Sequence, residues 1–232
     1  MADTVEIVQV YGRNQKALAY FENHVPTTSS IHNLATADIY LMAISDDAIT
    51  AVGQALTPYD GLIIHTSGSV QLNRLPAEKR GVFYPLQTFT KGKRVDWSKI
   101  PICIETENET DHKTLQKIGK ALNATVYDIS SQQRKKLHLS AVLVNNFTNH
   151  LFAIAHEICK EHDLSFDLLM PLISETVDKV RHLSPNEAQT GPARRNDAKT
   201  LQQHLEQLKP QVHKNIYESM SASIKTYYEK EL

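Results

Sequence analysis

Two cysteines, Cys103 and Cys159, are all that the 232 residues contain. They stand far apart, without metal-ligand spacing, which argues against a disulfide framework and points to a reducing cytoplasm. Neither sign of charge is in excess: the formal net charge is −1 at pH 7 and the pI is near 6.8. A phosphate-binding face needs a basic surplus, so neither nucleic acid nor an anionic membrane surface is an expected partner. The short basic groups Arg134-Lys135-Lys136 and Arg194-Arg195 read as solvated faces. No apolar run approaches the ~20 residues that cross a bilayer, and no signal peptide opens the chain. What is present, 41% hydrophobic and 22% charged residues, suits one large or two modest globular domains.

The first half alternates strand and helix signals. Val5 to Tyr11 (VEIVQVY) is a short β-branched strand, and Gly12-Arg13-Asn14 turns it into a helix around Gln15 to Glu22. Asp38 to Ser45 (DIYLMAIS) reads as a second buried strand, with Asp46 as N-cap of a helix reaching Leu56. Gly61 to His65 (GLIIH) is a third strand, ending in the turn Thr66-Ser67-Gly68-Ser69. Gly81 to Phe89 (GVFYPLQTF) carries Pro85, which places it at a sheet edge or the lip of a cleft. Ile100 to Glu105 is a strand, Asp111 to Leu122 a helix, and Thr125 to Ile129 the last strand. This alternation predicts a parallel α/β sheet, with ligands at the carboxyl ends of its strands.

From Ser130 or Ser131, either of which can cap the next helix, only helices follow. The domains are therefore expected at 1–129 and 130–232. His162-Asp163-Leu164 breaks the long helix; Phe166 to His182 forms another, in which Pro171 marks a kink or a new start. Ser184 to Asp197 reads as a loop, and Ala198 to Leu208 and Pro210 to Glu229 as two further helices. The long helix is mostly apolar yet carries Asn145, Asn146, Thr148, Asn149 and His150 in its middle. At helical spacing His138, Asn145 and Asn149 fall near one line. A buried amide without a partner costs about 1–3 kcal/mol, so the cluster needs partners, either a polar network between helices or a cleft.

The segments HTSGS, GVFYPLQTF, LSAVLVNNFTNHLF and AQTGPARRND resemble a bacterial family that joins a Rossmann-like domain to domain of unknown function 2520. The likeness runs from about Val5 to the final helix. The family is similar to pyrroline-carboxylate reductases and 6-phosphogluconate-type dehydrogenases, and its members carry an NADP oxidoreductase label. The resemblance implies a Rossmann-like parallel sheet followed by an all-helical domain of 6-phosphogluconate dehydrogenase C-terminal type. It also implies NADP as cofactor, a small-molecule substrate, and a homodimer formed through the helical domain.

One departure stands out. Family members open with a strand, a G-x-G-x-x-G turn and a helix before the strand that matches Val5 to Tyr11. None of these is in the present residues, which reads as a truncated gene product or a mis-assigned start, with an edited pseudo-enzyme as the alternative. Such a chain would bind NADP weakly or not at all, and its sheet would have a gap in the middle. By the same likeness Arg13 would meet the NADP 2′-phosphate, and Ser45 and Asp46 would flank the nicotinamide side. His65, as a group with a usual pKa of about 6.5, is a candidate proton donor. His138, Asn145 and Asn149 are further catalytic candidates, with Lys135 a weaker one. Ser67, Gln87, Gln189, Thr190 and Arg194 would bind substrate, beside Tyr84. The rival reading is a non-catalytic dimeric binding module, in which the helical half associates and the polar stripe holds helices in register, or a degenerate pseudo-enzyme.

Overall fold

The computed structural model describes residues 5–228. They form two compact units, divided between Asn146 and Phe147.

The first unit is built on a five-stranded sheet in the order β3-β4-β5-β6-β7. Its strands are β3 (Ile39–Met42), β4 (Leu62–His65), β5 (Arg80–Pro85), β6 (Ile102–Thr106) and β7 (Val126–Asp128). Three of the pairings are parallel, and β5 with β6 is antiparallel. Pro85 therefore does not mark an edge. It closes a central strand, opposite Ile102, where a missing N–H costs the ladder least.

Every residue of β4 is buried, because both faces of the sheet are covered. On one face Tyr40, Met42 and Ile63 pack with Ile49 and Leu56 of α2 (Ile49–Leu56). Further along this face Val82, Tyr84 and Cys103 pack with Leu72 and Leu137. On the other, Leu62, Ile64, Phe83, Ile102 and Ile104 pack with Leu115 of α3 (Glu109–Ala121). Asn108 caps α3 by accepting from the Asp111 amide. Gly119 lets α3 lie against β7, since a Cβ there would meet Val126 Cγ2 at 2.2 Å.

The segment from Val5 to Tyr11 is strand only at β1 (Val10–Tyr11), which pairs in parallel with β2 (Thr27–Thr28). These two form a sheet of their own, and β3 is an edge of the larger one, with Leu41 exposed. Between β1 and β2, α1 (Gln15–Leu18) is capped by Asn14. α4 (Ser131–Ala141) begins in a capping box of Ser130 with Gln133 and is followed by a π-helical stretch, Val142–Phe147.

The second unit consists of helices. α5 (Thr148–Glu161) ends where Asp163 takes a φ of 54°, and Pro171 sits in the first turn of α6 (Met170–His182), so it starts that helix. The expected loop after Ser184 contains α7 (Pro185–Ala188), held by a Ser184–Glu187 capping box. α8 (Ala198–Gln207) and α9 (Gln211–Tyr228) follow; the expected helix end at Glu229 lies outside the described residues. Among the described residues no helix is long and apolar enough to cross a membrane.

Candidate functional site

The carboxyl ends of the parallel strands β3, β4 and β5 gather the polar residues of the first unit. β3 is followed by Ser45 and Asp46, β4 by the turn from Thr66 to Ser69, and β5 carries Tyr84 next to its last residue. Asp46 is not an N-cap. Ser45 occupies that position without a side-chain bond, and the Asp46 carboxylate accepts from Ser69 Oγ. The turn is held from within: Ser67 Oγ accepts from the amides of Ser69 and Val70 at 3.1 and 3.0 Å.

His65, at the end of β4, shares a sheet face with Met42 and Val82 and is fully buried. Its Nδ1 accepts from the Ser67 amide at 3.1 Å, which puts the ring proton on Nε2. Burial, reinforced by the nearby Arg134 guanidinium, lowers its pKa from 6.5 to about 4, against the opposing pull of Asp46 and Glu105. A ring that takes up its proton only in acid stays neutral near pH 7. The expectation of His65 as proton donor rested on an unshifted imidazole, and burial removes that premise. The geometry makes His65 the anchor of the turn.

α4 crosses the sheet face formed by Val82, Tyr84 and Cys103, so its buried side is spelled Arg134, Leu137, His138 at i, i+3, i+4. Arg134 is not part of a solvated basic run: its side chain is 1% exposed and pairs with Glu105 of β6. The same guanidinium donates to the Val70 carbonyl at 2.5 Å. Ser131 completes the node. Its amide and hydroxyl donate to the two Glu105 oxygens at 2.8 and 2.7 Å, and its Oγ accepts from the Leu72 amide at 3.0 Å. One turn beyond Arg134, His138 Nδ1 lies 3.1 Å from Tyr84 Oη, with the two rings edge to face. Gly68 backs onto both rings; a Cβ there would come within 2.5 Å of His138 Nδ1 and 2.9 Å of Tyr84 Cζ. Burial raises the Tyr84 pKa, so the phenol keeps its proton.

The other expected residues fall differently. Gln87 is exposed and its Oε1 accepts from the amide of Thr88, while Arg13 is an exposed residue after β1. Asn145 and Asn149 are both exposed, Asn145 in the π-helical stretch and Asn149 in the first turn of α5. Their amides reach solvent, and the cost of burial that singled them out does not arise. Gln189, Thr190 and Arg194 belong to the second unit. Gln189 Nε2 donates to the Thr190 carbonyl, and the Arg194 guanidinium lies 4.1 Å from the Tyr228 ring centroid. The structure thus brings together His65, Ser67, Asp46 and His138, and adds Gly68, Ser69, Arg134 and Glu105. Sequence reasoning missed the last two because an acid ending one strand and a base on a later helix carry no spacing signal. The apolar run before Glu105 and the spacing of Arg134 with Leu137 and His138 were the available hints.

A two-faced α/β sheet with its polar turns at the carboxyl ends of parallel strands, continued by a helical unit, defines a Rossmann-like protein. Residues 100–224, more than half of the chain, match the family described as domain of unknown function 2520. The chain is 38% identical to the "putative NADP oxidoreductase" of Bacteroides fragilis, with a TM-score of 0.89 over 95% of this chain and 88% of that one. The chain belongs to this family. A Thermotoga maritima protein is 19% identical with a TM-score of 0.72, over 95% of this chain and 90% of that one. The pyrroline carboxylate reductase of Plasmodium falciparum, solved with NADP bound, shares the fold at 14% identity and a TM-score of 0.59, over 95% and 87% of the two chains. No curated protein matches the chain.

Proposed function

We propose that this protein is an NADP-dependent oxidoreductase acting on a small C=O or C=N substrate, with His138 facing the substrate heteroatom. The observation that carries this reading is the Tyr84–His138 pair, seated on Gly68 at the carboxyl end of the sheet. That is where dinucleotide folds place their chemistry, and the names of two similar structures, one solved with NADP bound, agree with it. The cofactor would supply the hydride. Ser45 and Asp46 would flank its nicotinamide side, and exposed Arg13 would meet the 2′-phosphate. The nicotinamide side thus has residues that fit. A second reading is a non-catalytic binding module.

Fluorescence titration with NADPH and NADH separates the two. Saturable binding that prefers NADPH, with the preference lost in Arg13→Glu, supports the oxidoreductase. Absence of saturable binding to either leaves the binding module.

The helical unit supports a homodimer. Phe147, Leu151 and Ile158 recur at helical spacing along one side of α5 and its lead-in and are exposed, as are Leu168, Leu172 and Val212. So many uncovered apolar side chains on one small unit exceed what a monomer carries, and a second copy offers the same surface to cover them. Light scattering is expected to give twice the chain mass, falling to one chain in Phe147→Asp/Leu151→Asp. A wild-type monomer would refute it.

A further inference from the structure

We propose that Tyr84 is a positioning residue that fixes the tautomer of His138, so that the imidazole offers Nε2–H, and that Gly68 is the backbone seat this pairing requires. The proposal rests on the reading of His138 as the residue facing substrate, and it assigns the atom that does so.

A neutral imidazole carries one N–H and one lone pair, and the partner of one nitrogen decides which is which. Here the partner of Nδ1 is the Tyr84 hydroxyl at 3.1 Å. A phenol O–H is a far stronger acid than a neutral imidazole N–H, so the favoured bond runs from Oη to the Nδ1 lone pair. The proton is then left on Nε2, at the opposite corner of the ring. An Nε2–H held there can hydrogen-bond a carbonyl or imine heteroatom and polarise it, and the interaction strengthens as charge develops on that atom.

Three features hold the arrangement independently of that bond. Tyr84 stands on β5 between Val82 and Cys103 in a buried cluster, so its ring cannot swing away. His138 follows Leu137, which packs on the same cluster, and lies one turn from the Arg134–Glu105 pair. The Gly68 backbone closes the third side, at a distance no side chain permits. The Arg134 guanidinium also donates to the Val70 carbonyl, so the helix that carries His138 and the turn that carries Gly68 are tied at a common point.

The test is the nitrogen NMR of the full chain at about pH 8, where an ordinary imidazole is neutral, with the His138 signals assigned by their loss in His138→Gln. Wild type is expected to show Nδ1 unprotonated and Nε2 protonated, as a single tautomer. In Tyr84→Phe both nitrogens move toward the averaged positions of an unrestrained imidazole. Gly68→Ala does the same by displacing the ring. His65 is the internal control, because its Nδ1 bond to the Ser67 amide keeps its own signals in place if the fold is intact. Protonated Nδ1 in wild type overturns the proposal, and so do His138 signals that ignore Tyr84→Phe while His65 stays put. The measurement uses no cofactor or substrate. A fixed tautomer in a protein that binds no dinucleotide would refute the oxidoreductase reading and leave standing only the control of the His138 tautomer by Tyr84.

Discussion

Replacing Glu105 by alanine tests the ion-pair node that joins sheet, turn and helix. Arg134 is 1% exposed and Glu105 19% exposed, so removing the carboxylate strands a guanidinium that water barely reaches. Losing one partner of a buried pair costs about 3–5 kcal/mol. The residual exposure of Glu105 lets some water in, which puts the expectation near the lower end, about 3 kcal/mol. The two donors of Ser131 lose their acceptors in the same step. Trp97, the one tryptophan, packs against the core of the first unit and reports its unfolding by fluorescence. With a urea slope of about 2 kcal/mol per molar, the midpoint should fall by roughly 1.5 M. Glu105→Gln, which keeps the shape and gives up the charge, should lose about half as much. The double variant Glu105→Leu/Arg134→Met should lose less than Glu105→Ala, because no buried charge is left unpaired, while the Ser131 donors and the Val70 carbonyl still lose their partners. A Glu105→Ala shift below ~0.3 M would refute the reasoning, as would a double variant no better than the single one.

His65 makes stability depend on acid. The unfolded chain binds its proton near pH 6.5 and the folded chain only near 4, so between those values the unfolded state holds more protons and acid favours it. The contribution is whole above 6.5, falls by roughly 1.4 kcal/mol per pH unit below it, and is gone by about pH 4, a total near 3 kcal/mol. Urea midpoints measured from pH 7 down to 5 should show that slope in wild type and a flatter one in His65→Asn; equal slopes would mean that the imidazole is not buried neutral. Gly119→Ala should cost about 1–3 kcal/mol by forcing α3 off β7, and Val126→Ala in the same chain should recover part of the loss in thermal melts. Without that recovery the clash lies elsewhere.

Periodicity carried the sheet. The apolar runs of β3, β4 and β6 and the amphipathic α3 lie within a few residues of their sequence readings, since short β-branched apolar runs suit little but strands packed in a sheet. Direction was not legible in the same way. The antiparallel step from β5 to β6 is made through a connection with no α-helix, only the short 3-10 turn Trp97–Lys99, and no residue pattern announces the reversal. Val5 to Tyr11 shows the limit of propensity: seven residues of strand-like sequence give two of strand, because a strand exists only where a partner supplies its hydrogen bonds.

The site divides along the same line between local and long-range information. His65 and the HTSGS turn are neighbours in sequence, and their place at a strand end could be read there, though not the burial that keeps His65 neutral. Asn145 and Asn149 were singled out on the assumption that an apolar helix is a buried one. In the single chain their surroundings are open, and exposed Phe147 and Leu151 on the same helix explain the composition instead. Apolar residues on a helix do not say whether they are buried or against what, so an exposed apolar face reads in sequence like a core. His138 was named from its spacing with those amides, yet what gives it chemical identity is Tyr84, 54 positions earlier in the chain. A hydroxyl that decides where a ring proton sits leaves no trace in spacing, because only the fold makes the two residues neighbours.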